Sequence, residues 1–169
     1  KLPPNVNFAL ELPRGISNEN YVLKRLEIFK SKGINVAFCS TLAAAELAKT
    51  AGMKIVSSFG FNIYNSYSAE FHKTQGALGV VLSPELLLSD AKHIDAHIPK
   101  GLITYGRLPL MLTRNCPVKN KFTCTECGRE QGLTDRKETY FPVRCQNGYS
   151  ELLNSKVLWL ADRKAEYSF

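Results

Sequence analysis

Short apolar runs alternate with longer amphipathic stretches over the first two thirds of the chain, and turn residues mark each change of period. "VNFALEL", residues 6 to 12, reads as a strand closed by "PRG". In "SNENYVLKRLEIFKSKG", Tyr21, Leu23, Leu26, Ile28 and Phe29 fall mostly on one helical stripe, and Gly33 after a basic end supplies the stop. "INVAFC" is a second strand, buried by its composition. "STLAAAELAKTAG" predicts a helix capped by Ser40 or Thr41 and stopped at Gly52. "MKIVSSFG" is a third strand, followed by a helix from Asn65 to Gln75. "ALGVVL" is a fourth strand. "SPELLLSDAKHI" predicts a helix with Ser at the cap and Pro at its first position, and "GLITYG" is a fifth strand.

Five strands alternating with four helices, at a spacing of about 20 to 25 residues, predict repeated βα units with a parallel sheet covered by helices. Two architectures compete: an open doubly wound sheet, or part of an eight-stranded β/α barrel. No GxGxxG or GxxxxGK follows a strand, which removes the usual support for a nucleotide-binding open sheet. A barrel takes roughly 250 residues, so five strands would make only its second half. After Arg107 the helical period is lost, and Pro109 and Pro117 discourage its return. "ETYFPVRC" and "KVLWLAD" read as short strands, with a turn at Asn154-Ser155. The expected organisation is therefore a partial β/α barrel over 1–107 and a Cys-rich, β-containing extension over 108–169.

Composition adds the class. The chain has 169 residues, 44% hydrophobic and 22% charged, as in soluble globular proteins, and no apolar run approaches the length of a membrane span. It opens "KLPPNVNF" without a Met, so a missing N-terminal part of the same protein is the expected partner. The net charge of +7 favours anionic partners such as RNA or acidic metabolites, although lysines on solvated faces account for such an excess equally well. Five cysteines, an odd number, fit a reducing cytoplasm better than a secreted disulfide scaffold.

Four of those cysteines follow the spacing Cys116-x7-Cys124-x2-Cys127-x17-Cys145. A Cys-x2-Cys pair followed by Gly, as in "CTECG", predicts a knuckle whose amides point at two sulfurs, and Cys116 and Cys145 complete four-fold coordination. Lys119, Lys121, Arg129 and Arg144 would offset the thiolate charge. Four thiolates suit zinc or a [4Fe-4S] cluster, and the spacing leaves that choice open. Cys39 stands apart, at the end of the second strand, where a lone Cys is usually a small buried hydrophobe.

"NSYSAEF", "LSPELLLSD", "YGRLPLMLTRNCPV", "LTDRKETYFPVRC" and "ELLNSKVLWLADR" together resemble the collagenase-like peptidase family U-32, in particular the C-terminal part of its long members. That resemblance implies a β/α barrel whose later strands lead into a cysteine-bearing segment. It also implies proteolysis, for which the family is named. Other members are similar to oxygen-independent hydroxylases that modify RNA bases or ubiquinone precursors with a four-iron cluster on four cysteines, although those cysteines are spaced differently.

Neither HExxH nor GxSxG is present. His72, His93 and His97 fall on or just after predicted helices and read as surface residues. Polar candidates near the strand ends are Glu11, Arg14, Cys39, Asn62, Asn65, Glu85, Arg107 and Arg114. Glu85, Arg107 and Arg114 are the expected catalytic set, the arginines suiting a carboxylate or phosphate. Each candidate has a plain alternative: Glu85 as a first-turn carboxylate, Asn65 as a helix cap, and Arg107 and Arg114 as partners of carboxylates. The further alternative is a non-catalytic, metal-stapled accessory domain, whose open sheet edges would favour pairing with a second copy.

Overall fold

The structure is a computed structural model that describes residues 6–121, 123–127, 131–146 and 148–166. It divides into two compact units: the first runs to Ile103 and is rejoined at Arg163, and the second is Thr104–Asp162.

The first unit contains β1 (Leu10–Glu11), α1 (Glu19–Ser31), β2 (Val36–Cys39), α2 (Leu42–Thr50), β3 (Lys54–Ser57), a 3-10 turn (Phe59–Phe61), α3 (Ser66–Thr74), β4 (Ala77–Val81), α4 (Leu88–Ala91) and β5 (Lys100–Gly101). Each strand pairs in parallel with its sequence neighbour, in the order β1-β2-β3-β4-β5. The order never reverses, as it must in a doubly wound sheet.

Local chemistry fixes the three longer helices. Asn18 Oδ1 accepts from the Tyr21 N–H at 2.9 Å, and Thr41 Oγ1 accepts from Ala44 at 3.2 Å. Asn65 Oδ1 accepts from Ser68 at 2.8 Å in a reciprocal capping box. The predicted stops hold: Gly33 and Gly52 take φ of +90° and +67°, where a side chain would be strained. The Ala-rich face of α2 buries Ala44, Ala45 and Ala48, while Leu26 of α1 and Ala69 of α3 join Ala37, Cys39, Ile55 and Val80 from the strands in one core.

Three elements differ from expectation. The first strand is only Leu10–Glu11. The helix expected from Ser83 is confined to Leu88–Ala91, because Leu82 continues the sheet by bridging Ile63 and the Ser83 N–H donates to Ile63 O at 2.9 Å. The fifth predicted strand divides between partners: Lys100–Gly101 pairs with β4, whereas Tyr105–Gly106 belongs to the second unit.

The second unit contains β6 (Tyr105–Gly106), β7 (Pro109–Thr113), α5 (Cys124–Cys127), β8 (Gly132–Thr134), β9 (Tyr140–Gln146), β10 (Tyr149–Leu153) and β11 (Leu158–Trp159). Its antiparallel sheet has the order β7-β10-β9-β8, and β11 pairs with β6. Across β9 and β10, Arg144 faces Glu151 and its Nε donates to the buried carboxylate at 3.1 Å. Among the described residues, no helix is long and apolar enough to cross a membrane.

Candidate functional site

Parallel strands aim their last residues at one edge of a sheet, and that edge is where ligands meet α/β folds. Here it is lined with serines. Ser40 follows β2, Ser57 ends β3, Ser58 follows it, and Ser83 lies just beyond β4; all four are buried. Ser83 Oγ donates to Asn62 Oδ1 at 2.6 Å, and Asn62 takes a left-handed φ of +50° after the 3-10 turn. Arg14, beyond β1, places its guanidinium 5.6 Å from the centre of the Phe59 ring.

Ser57 Oγ lies 2.9 Å from His72 Nδ1. The pair lines a cavity of about 420 Å³ between α2 and α3, with Ile55, Glu46, Lys49 and Phe71 among its walls. His72 also packs against Phe61, with ring centres 4.6 Å apart. The ring is therefore half-buried and not the surface residue that its helical position suggested. Burial holds its pKa below the ordinary 6.5. A folded value below the unfolded one makes the neutral ring the form that folding favours. Its contribution is complete above the unfolded pKa and is lost as pH falls through the lowered folded value. Urea denaturation should show stability falling from about pH 7.5 to about 5.5, and His72→Gln should flatten that slope. An unchanged slope in the variant would assign the effect elsewhere.

Cys39 closes β2 with no exposed surface, and burial pushes its thiol up to about 11. It is the small buried hydrophobe expected of a lone Cys. Iodoacetamide should leave it unmodified in the native protein and alkylate it only after denaturation, as read by mass spectrometry. Labelling of native protein at Cys39 would contradict this placement.

The other sequence candidates divide between the units. Glu11 and Glu85 are exposed in the first, and the Glu85 N–H donates to Ser83 Oγ at 3.3 Å. Asn65 is the α3 cap. In the second unit, Arg107 Nη1 donates to the carbonyls of Asn154 and Ser155, tying the link between β6 and β7 to the turn after β10. Arg114 lies over the Tyr149 ring at 5.9 Å. His93 and His97 are exposed, and His93 Nδ1 contacts Ser89 O at 2.7 Å.

The four-cysteine segment belongs to the second unit. Its small core consists of Val118, Cys127 and Val143, with Cys116, Leu133, Cys145 and Leu152 packed against them. Three of the four thiols thus share one cluster, and Cys124, which is exposed, opens the single turn of α5 that ends at Cys127. All are free thiols. The Glu126 carboxylate accepts from both the N–H and the hydroxyl of Thr123, at 2.9 and 2.7 Å, which caps that turn and lowers its pKa. Gly128 and Arg129 of the expected knuckle lie outside the described residues. Among the described residues, no group of three or more His, Cys, Asp or Glu side chains is arranged so that it could hold a metal ion. The donor chemistry fits a soft metal, and the fold gathers three of its members, but it does not draw them into a coordination shell.

What the sequence reading missed is the serine edge and the Ser57–His72 pair. The signal was present: apolar runs ending in Ser recur in "FCST", "IVSSFG" and "VLSP".

Fold and site together define an α/β protein with a sequentially ordered parallel sheet and a cysteine-bearing antiparallel unit. The model of Peptidase family U32 matches residues 16–142, well over half of the chain, and the chain belongs to that family. No curated protein and no solved structure matched it.

Proposed function

We propose that this chain supplies the later βα units of a U32-family barrel peptidase, with an extension stapled by one zinc ion that, on binding, would draw the exposed Cys124 together with the clustered Cys116, Cys127 and Cys145. The observation that carries the staple is the poverty of the second unit's core. Thr104–Asp162 is under 60 residues long, and among its described residues the hydrophobic cluster has three buried members, one of them Cys127. Units of this size usually need a metal, a disulfide or a partner to stay folded. Four thiolates would give zinc a closed shell without a place for water, so the ion would hold the fold and take no part in hydrolysis.

The barrel reading is supported by the unreversed order β1-β2-β3-β4-β5. Eight strands close such a barrel, so the remaining ones would come from an N-terminal part of the same protein, and an isolated piece would pair its open edges with a second copy. Peptide-bond chemistry would then sit at the serine-lined strand ends, beside Glu85.

Elemental analysis of anaerobically prepared protein tests the staple. About one zinc per chain in a colourless protein is the expected result. Iron and sulfide with visible charge-transfer absorption would overturn it in favour of a hydroxylase-type protein with a four-iron cluster, for which RNA is a fitting substrate. For the reaction, gelatin or peptide cleavage by the full-length protein is expected to fall with Glu85→Gln. Cleavage that survives replacement of Glu85, Arg107 and Arg114 removes all three from the chemistry.

A further inference from the structure

Among the described residues, two buried polar atoms at the strand edge have no hydrogen-bond partner: Arg14 Nη1 and Ser40 Oγ. Leaving either unmatched is costly, and the cost is greater for a charged group. Both residues meet the same 3-10 turn. The Arg14 guanidinium lies over Phe59. Ser40, 4% exposed, is pressed against the next residue, since a Cβ placed on Gly60 would come within 2.7 Å of the Ser40 Cβ. The approach is fixed on its other side by the Ser58 N–H, which donates to Cys39 O at 2.7 Å. One turn therefore lies against both the guanidinium from beyond β1 and the residue beyond β2 that carries the second free donor.

We propose that Arg14 and Ser40 form an oxyanion subsite at the C-terminal edge of the parallel sheet, taking the carboxylate or phosphate group of a small ligand. Both free atoms are donors to an acceptor-only group, and a guanidinium matches either oxyanion through paired N–H bonds. The edge is where a parallel α/β sheet presents its binding residues. An uncharged ligand would leave the buried Nη1 end of the half-buried Arg14 uncompensated. The subsite is independent of the zinc proposed for the second unit and of the peptidase reading.

Thermal-shift and calorimetric titrations of the whole chain with inorganic phosphate and with malonate, at constant ionic strength, test it. Saturable stabilisation by at least one anion is expected, and the one preferred identifies the source as phosphate or carboxylate. Arg14→Gln should weaken binding at least tenfold. Arg14→Lys, which keeps the charge and loses the fork, should fall between it and the wild type, and Lys24→Gln should change nothing. Ser40→Ala gives a readout that a purely structural hydroxyl would not: the ligand-free protein should melt no lower than the wild type, while anion binding weakens at least threefold. The proposal is overturned if neither anion stabilises the protein saturably, if Arg14→Gln binds as the wild type does, or if Ser40→Ala alone lowers the melting temperature.

Discussion

Cys127→Ser is expected to abolish stoichiometric zinc binding and, with it, to unfold the second unit. A structural zinc site contributes roughly 10–16 kcal/mol in small metal-dependent domains, more than a unit of this size can lose and stay folded. Cys127 is also a buried member of the unit's core, so loss of packing would contribute even without a metal. Cys124→Ser separates the two causes. Cys124 is exposed and fills no core space, so its replacement should cost as much as that of Cys127 only if both thiols hold the ion. Metal content, together with hydrogen exchange over β9 and β10, reads the result. Wild-type zinc in both variants would end the staple model.

Gly60→Ala should destabilise the first unit by about 2–3 kcal/mol, at the upper end for adding one methyl group. The added Cβ would lie 2.5 Å from Ser40 O and 2.7 Å from its Cβ, atoms that cannot swing away as the tip of a long side chain can. The residue that must yield also carries the free hydroxyl, so oxyanion affinity should fall with stability. Gly76→Ala makes a useful contrast. Nothing lies within 4 Å of its Cβ position, and only the left-handed φ of +84° opposes the change, at about 1 kcal/mol. Urea midpoints compare the two, and equal losses would mean that the close approach at Ser40 is not what Gly60 serves.

The parts of the fold that local chemistry determines could be read from the chain. α1, α2 and α3 fall where stripe and cap signals placed them, because Asn18, Thr41 and Asn65 act within four residues of their own position. The parts decided by packing could not. α4 is a single turn because Ser83 is held to Ile63 and Asn62, some twenty residues earlier, and no local signal competes with that. The hairpin of β9 and β10 was legible in principle: Gln146 pairs with Tyr149, leaving two residues between, and the sequence there is Asn-Gly. His72 looked like a surface residue because its partner Ser57 is fifteen positions away on a strand. The candidate arginines were chosen for their charge. Charge alone does not separate Arg107, which serves two carbonyls of a turn, from Arg14, whose Nη1 has no such partner.

The strand orders of the two units also set when each can form. In the first, every strand pairs with one already made, so structure can accumulate as the chain leaves the ribosome. In the second, β7 must wait for β10, with Thr113 pairing to Ser150, and it stays an unpaired apolar edge until then. All four clustered cysteines lie in the segment between those strands. An ion captured there would shorten the open loop before the sheet closes, so metal supply during synthesis should govern how much of the protein escapes aggregation.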